Sequence, residues 1–263
     1  VHHETNMIHQ TAIVDPGAEI DADVDIGPYS IIGKDVSIGS GTRIGAHAVI
    51  TGKTSIGANN HIFHHVSLGE QPQDKKYADE PTTLEIGDGN VIREFCTFNT
   101  GTVQDKGKTV VGNRNWVMAY VHIAHDCAVG DDVILANCTQ LAGHVEIGDF
   151  AMLGGFTGIH QFCRVGAHAL TGVGSVVLSD VPPYVTCNGN SAKPFGINAE
   201  GLKRRGFAGE SIRTIRQAYK VLYRSSLSLE EAKEKISQMV KDASELAILS
   251  DFLSSSLSRG IIR

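Results

Sequence analysis

A branched apolar residue recurs at every sixth position through most of the chain. The run opens Ile8, Val14, Ile20, Ile26 and holds to Leu68. It resumes as Ile86, Ile92, Phe98 and again from Val111 to Val165, skips at Thr171 and returns at Val177. A six-residue period fits neither the 3.6-residue turn of a helix nor the two-residue alternation of a simple strand. It predicts a solenoid of hexapeptide repeats, a parallel β-helix in which each hexapeptide is one short strand and one corner. Taking the apolar residue as position i, position i+1 is often glycine, as at Gly27, Gly45, Gly130 and Gly148. Glycine tolerates positive φ, so the tight corner is expected there. Position i+4 is often small or β-branched (Ser30, Ala48, Cys127, Thr157), which suits a narrow interior. Three hexapeptides make one triangular coil of 18 residues. Strands of successive coils then pair about 4.8 Å apart.

Two polar, charged segments break the rhythm, near 69–85 and 100–109. A solenoid can extrude loops from a corner without disturbing its stack, and such loops often carry function. The ladder ends near Val177, and Val181-Pro182-Pro183 marks the exit. Beyond residue 191 the period turns helical. Ile212, Ile215, Ala218, Tyr219 and Leu222 share one face, and Leu229, Ala232, Ile236 and Met239 share another after Ser228, a candidate cap. The expected organisation is a β-helix over 1–190 and a small α-helical domain over 191–263. A unit that small is expected to dock on the last coils or on a neighbouring subunit.

Composition narrows the function. The net charge is −6, which argues against a general nucleic-acid binder. No run of about twenty apolar residues offers a membrane span. Residues 1–7 lack the apolar core of a signal peptide, and the two histidines there carry no assignment. The five cysteines, an odd number without CxxC spacing, read as reduced core residues of a cytosolic protein.

The coil length turns the sequence into a map. Eighteen residues beyond His125 lies Gly143, and eighteen more reach Gln161. His144 follows Asp126 by the same step, and Gln140 follows His122. One side of three coils therefore gathers His122, His125, Asp126, Gly143, His144, His160 and Gln161. A carboxylate beside a histidine suits a general base, since it can orient the ring and stabilise its charged form. Gly143 offers an unobstructed backbone N–H for an oxyanion. No serine or cysteine shares the column, so direct transfer of an acyl group to a bound hydroxyl or amine is expected. Three histidines on adjacent coils leave zinc binding as another reading. A second cluster, Lys203-Arg204-Arg205 beside Asn198 and Glu200, is a local basic patch for phosphates or an acidic protein.

Several blocks are more specific than the rhythm: Gln73-Asp74-Lys75-Lys76-Tyr77, Gly101-Thr102-Val103-Gln104, His122-Ile123-Ala124-His125-Asp126-Cys127, Leu141-Ala142-Gly143-His144, His160-Gln161-Phe162-Cys163 and Glu200-Gly201-Leu202-Lys203-Arg204-Arg205-Gly206-Phe207. Through them nearly the whole chain resembles the UDP-N-acetylglucosamine O-acyltransferases that begin lipid A synthesis in Gram-negative bacteria. The resemblance implies a left-handed β-helix, a homotrimer with active sites between subunits, and a cytoplasmic enzyme. It implies transfer of an (R)-3-hydroxyacyl chain from acyl carrier protein to the 3-hydroxyl of UDP-N-acetylglucosamine. His125 would be the base, Asp126 its support and Gly143 the oxyanion donor. Gln73, Asp74 and Lys76 would contact the sugar and acyl head. His122, His144, His160 and Gln161 would line the nucleotide-sugar site. Asn198, Glu200, Arg204 and Arg205 would hold the UDP, and the basic helical surface would meet the carrier protein. It implies no metal and no permanently bound cofactor, because the donor brings phosphopantetheine on its carrier.

Two positions depart from relatives. Asn99 stands where some carry histidine, which puts substrate contacts at the second loop in question. Val173 stands where long-chain relatives often have glycine at the end of the acyl groove, which implies a shorter donor. The competing readings are a hexapeptide acyltransferase acting on a UDP-3-amino sugar, an N-acyltransferase of the same pathway, an acetyl-CoA-dependent transferase, a γ-type carbonic-anhydrase-like zinc lyase and a non-catalytic scaffold.

Overall fold

A computed structural model describes residues 8–255 and 258–263. Residues 1–7, with their two histidines, lie outside it. The six-residue ladder folds as a left-handed β-helix with three parallel faces. Face I holds nine strands, from Ile13–Val14 to Val176–Val177. Face II holds eight, from Glu19–Ile20 to Arg164–Val165. Face III starts at Asp25–Ile26 and closes with a hairpin of Val185–Asn188 and Lys193–Ile197. The chain therefore winds I, II, III and back to I. The left-handed sense runs against the usual crossover preference.

Register follows the eighteen-residue step. His122 pairs with Gln140 and Ile123 with Leu141. Beyond Ile8, which is exposed at the open end, the ladder residues point inward and form a continuous core in which Ile62, Ile123, Leu135 and Leu141 are fully buried. Burying such a side chain contributes about 1.5–3 kcal/mol. Thr171, the weak rung, sits in that core because its hydroxyl is satisfied: it pairs with Thr157 Oγ1 at 2.8 Å and accepts the Gly154 N–H at 3.0 Å. The small residues at i+4, such as Ser30, Thr42 and Cys127, are likewise buried.

The corner geometry differs from the sequence expectation. The positive φ falls at i+3, not at the i+1 glycines. Tyr29, His47, Asp126, His144, Phe162 and His168 all occupy the left-handed region without being glycine. The i+1 glycine answers to a different constraint. A Cβ on Gly27 would lie 2.8 Å from the backbone of Gly45 and Ala46 in the next coil. Close stacking of corners, rather than φ, demands glycine there.

Both interruptions leave the solenoid at one edge. The first, residues 71–82, joins the face I strand Ser67–Glu70 to the face II strand Thr83–Ile86. The second, residues 100–107, joins Thr97–Asn99 to Lys108–Val111 one coil later. The next three turns at the same I/II edge carry His125, Gly143 and Gln161. The fold thus hangs two loops directly beside the residues singled out above.

After the closing hairpin come helices α1 (Ala199–Arg204), α2 (Gly209–Tyr223), α3 (Leu229–Met239) and α4 (Ala247–Ser254). Ser228 caps α3 in a capping box with Glu231. These helices share a core of Leu202, Ile215, Leu222, Ile236 and Leu246 with Tyr184 of the solenoid end. Arg164 ties α4 to face II: its guanidinium bonds Asp180 at 3.0 Å and lies over the Phe252 ring at 4.4 Å. Burial raises the Asp180 carboxyl above its ordinary range despite this pairing. Among the described residues no helix is long and apolar enough to cross a membrane. All five cysteines are free thiols, and burial pushes Cys96, Cys127 and Cys187 up to about 12. These three are not poised as nucleophiles.

Candidate active site

The I/II edge opens into a cleft of about 720 Å³. Gln73, Asp74 and Lys76 line it from the first loop and Asp105 from the second, with His125, His144 and Gln161 behind them. Its centre is the turn Ala124-His125-Asp126-Cys127. Asp126 occupies the same left-handed corner position (φ 59°) as His144 and Phe162 in the next two coils, and its side chain is fully buried. His125 keeps its ring at the cleft with Nδ1 2.9 Å from Asp126 Oδ2.

Asp126 is held from the other side by the second loop. The Thr102 N–H donates to both its oxygens, at 3.0 and 3.1 Å, and the Thr102 hydroxyl donates to Oδ2 at 2.7 Å. Burial alone would raise this carboxyl. The hydrogen bonds from His125 and Thr102, with the nearby His144, outweigh burial and hold it below its ordinary value. Asp126 is therefore an ionised, immobile acceptor, and it fixes the proton of His125 on Nδ1. The other ring nitrogen is left without a bond to that carboxylate.

Gly143 stacks on the His125 ring one coil further on. A Cβ there would lie 2.5 Å from His125 Cε1. Among the described residues its amide N–H donates to no other group. His144, next in sequence, packs face to face on Phe162 (4.2 Å) and edge-on to His125 (5.0 Å). Its Nδ1 lies 2.7 Å from Asp105 Oδ2. His125, Asp126 and His144 are the one group of donor atoms that could hold a metal among the described residues, lying within 4.8 Å of one another. All three are already engaged in hydrogen bonds, and the set reads equally as a proton-handling network.

Other predicted residues stand apart from the cleft. His122 faces outward from face I, bonded to Thr97 Oγ1 at 2.7 Å, and burial lowers its pKa. His160 turns Nδ1 to the carbonyl of Gln161 at 3.1 Å. Asn198 caps α1, accepting the Gly201 N–H and donating to His168 O. Glu200 pairs with Lys203 and Arg204 on exposed α1. Arg205 lies over Phe150 at 4.6 Å. Phe150 and His168 belong to turns at the II/III edge, so this basic group and the His125 cleft occupy different edges of one chain. Val173 sits on the III/I edge, 78% exposed. Asn99 is buried and does not line the cleft, and its amide fastens the first loop through Gln71 O at 2.8 Å and Glu70 O at 3.3 Å.

The cleft also contains groups that spacing did not single out: Thr102, Asp105 and Phe162, with Arg259 of the C-terminal segment donating to Gln161 O at 3.2 Å. Phe162 lies eighteen residues beyond His144 and is on the ladder, whereas Thr102, Asp105 and Arg259 carry no periodic signal, because loops and tail do not follow it. The one available hint was that the second loop springs from the edge just before the His-Asp turn.

The triangular coil, the projecting loops and a buried histidine–carboxylate pair define a hexapeptide-repeat transferase. The chain matches the bacterial transferase hexapeptide family over residues 17–52 and 108–143, and domain 2 of the UDP-N-acetylglucosamine O-acyltransferases over 180–262. It is 65% identical over 256 residues to the acyl-[acyl-carrier-protein]–UDP-N-acetylglucosamine O-acyltransferase of Thiobacillus denitrificans, covering 97% of this chain and 99% of that one. The same-named protein of Herminiimonas arsenicoxydans is 58% identical, with 98% and 100% covered. The crystal structure of the Francisella novicida UDP-N-acetylglucosamine acyltransferase superposes with a TM-score of 0.96 at 45% identity, covering 98% of this chain and 94% of that one. The chain belongs to the UDP-N-acetylglucosamine O-acyltransferase family and is an acyltransferase.

Proposed function

We propose that this enzyme moves an (R)-3-hydroxyacyl chain from the phosphopantetheine arm of acyl carrier protein to the 3-hydroxyl of UDP-N-acetylglucosamine, opening lipid A synthesis. The observation that carries the reading is the stack of Gly143 on the His125–Asp126 pair at the loop-lined edge. In the first step His125 Nε2 takes the proton of the sugar hydroxyl as its oxygen attacks the thioester carbonyl. Asp126 stabilises the resulting imidazolium, and the Gly143 N–H faces the tetrahedral oxyanion. In the second step the C–S bond breaks, and His125 returns the proton to the departing thiolate. Proton and charge balance without a cofactor or an acyl-enzyme.

Gln73, Asp74 and Lys76 would hold the sugar and the acyl head, with His122, His144, His160 and Gln161 along the nucleotide-sugar path. Asn198, Glu200, Arg204 and Arg205 lie at another edge, so the UDP site would be completed by a neighbouring copy. A homotrimer supplies such clefts. It is supported by the exposed apolar residues on face III and the III/I edge, which include Trp116, Tyr120 and Phe156. Val173, on that same edge, would end an acyl groove running between copies and favour a shorter donor. The basic helical surface would receive the acidic carrier protein, a contact that weakens with salt. A cytoplasmic location fits these substrates.

The test is an assay with UDP-N-acetylglucosamine and 3-hydroxyacyl carrier proteins, for wild type and His125→Ala. Loss of the base should lower kcat by roughly a thousandfold with the fold intact. Undiminished transfer by the variant would sink the mechanism. Transfer only to the UDP-3-amino sugar would move the acceptor from a hydroxyl to an amine.

A further inference from the structure

The second loop carries an acidic residue that faces the site and has no role in the proposed chemistry. Asp105 lies 2.7 Å from His144 Nδ1 across 39 residues of sequence. The same His144 Nδ1 lies only 3.9 Å from Asp126 Oδ2, the oxygen that serves His125 at 2.9 Å. Two histidines therefore stand within reach of one buried carboxylate oxygen. What separates them is Asp105, which offers His144 a closer acceptor.

We infer that Asp105 is a positioning residue that engages His144 so that Asp126 remains committed to His125. The inference rests on the acyl-transfer reading above. An imidazole N–H turns to its nearest good acceptor, and a charge-assisted bond at 2.7 Å dominates a contact at 3.9 Å. Without Asp105, the His144 N–H swings toward Asp126 and competes with His125 for Oδ2. The base then loses its orientation. With Asp105 in place, His144 carries its proton on Nδ1 and leaves Nε2 as an acceptor in the neutral ring. Phe162, stacked at 4.2 Å, keeps that ring in plane.

The loop is placed for this task by two further attachments. Thr102 clasps Asp126 itself. Lys106 reaches Glu146, two coils further on, at 2.7 Å. Lys106 braces the same loop from outside the cleft, so it separates loop bracing from the specific effect of Asp105. The charged groups around His144 are Asp105 and Asp126, the neighbouring His125, the cleft-lining Asp74, Lys75 and Lys76, and Arg259 beyond Phe162.

The experiment compares wild type with Asp105→Ala, Asp105→Asn and Lys106→Gln by steady-state kinetics and by 15N NMR of the His144 ring at alkaline pH. Asp105→Ala should lower kcat roughly tenfold, a larger change than in KM even though His144 moves with it, since the loss falls first on the orientation of the base. Asp105→Asn keeps an oxygen acceptor for the Nδ1–H and should recover most of that loss. Lys106→Gln should stay within about twofold of wild type. NMR should find the wild-type His144 proton on Nδ1 and a disturbed His125 signal in Asp105→Ala. An Nε2–H tautomer in wild type overturns the inference, as does an equal loss in Asp105→Ala and Lys106→Gln. The NMR arm needs no turnover: a wild type without transferase activity would overturn the proposed function, while the tautomer still decides the role of Asp105.

Discussion

His144 and His168 occupy the same position of the repeat at two edges of the prism. Both are at i+3 with left-handed backbones, φ 64° and 58°. Both stack on a phenylalanine, His144 on Phe162 at 4.2 Å and His168 on Phe150 at 4.8 Å. Their surroundings then diverge. His168 is shut between Phe150, Tyr184 and Phe207 near the Arg205 cation. Burial, and then Arg205, push its pKa down to about 4, so it is a neutral packing group. His144 instead meets a carboxylate from a loop and opens onto a cleft. The repeat supplies rigid, equivalent pedestals, and segments from outside the repeat decide which pedestal carries chemistry. At the I/II edge these are loops bearing Thr102 and Asp105; at the II/III edge they are an aromatic residue and an arginine from the α1 region.

After removal of His125 itself, the largest effect should come from disturbing the stack on that side. Gly143→Ala would set a methyl group 2.5 Å from His125 Cε1, against a ring held rigidly by Asp126. Moving the base by a fraction of an ångström should lower kcat by roughly a hundredfold. Near-native turnover in Gly143→Ala would show that the base does not need this contact and that Gly143 is tolerated rather than required.

At the other edge the expected effect is on stability. Unfolded, the His168 ring takes a proton near its ordinary value of 6.5; folded, it resists until about 4. Across that window the unfolded chain binds more protons, so stability falls as pH falls, by about 2 kcal/mol between pH 7 and pH 5. Denaturant titrations at the two pH values check the slope. His168→Phe should remove this contribution and leave acyl transfer at wild-type level. An unchanged slope in that variant would mean that His168 is not the group being titrated, and the contrast between the two histidines would lose its basis.

The architecture was almost wholly legible because an interior so narrow punishes any break in period. The ladder, the coil length and the His125–Gly143 stack all follow from counting by eighteen. The reason for glycine at i+1 was not, since backbone crowding between coils leaves the same residue preference as a φ requirement. Within the site, Asp126 could be paired with His125 by adjacency. The partners of Asp126 and His144 on the second loop could not, because Thr102 and Asp105 reach the cleft through a segment with no repeat. Nor does periodicity distinguish His144 from His168. The residues that make them different lie 39 positions before one and 37 after the other.

The smallest effect should appear at the third edge, where Val173 stands exposed beside the buried rung Thr171. Within one chain Val173 borders no part of the His125 cleft, so it can govern donor length only if a neighbouring copy brings the III/I edge to the cleft. Val173→Gly removes a branched side chain from a solvent-facing corner next to Gly174, and the core beneath keeps its Thr171–Thr157 hydrogen bond. Folding should therefore be almost untouched, while rates with longer 3-hydroxyacyl donors rise several-fold relative to shorter ones, the scale of one or two methylenes in an apolar pocket. Measured across a donor series, a profile that does not shift would remove Val173 from the acyl groove. It would also leave the III/I edge with packing as its one role, the same division of labour that separates His168 from His144.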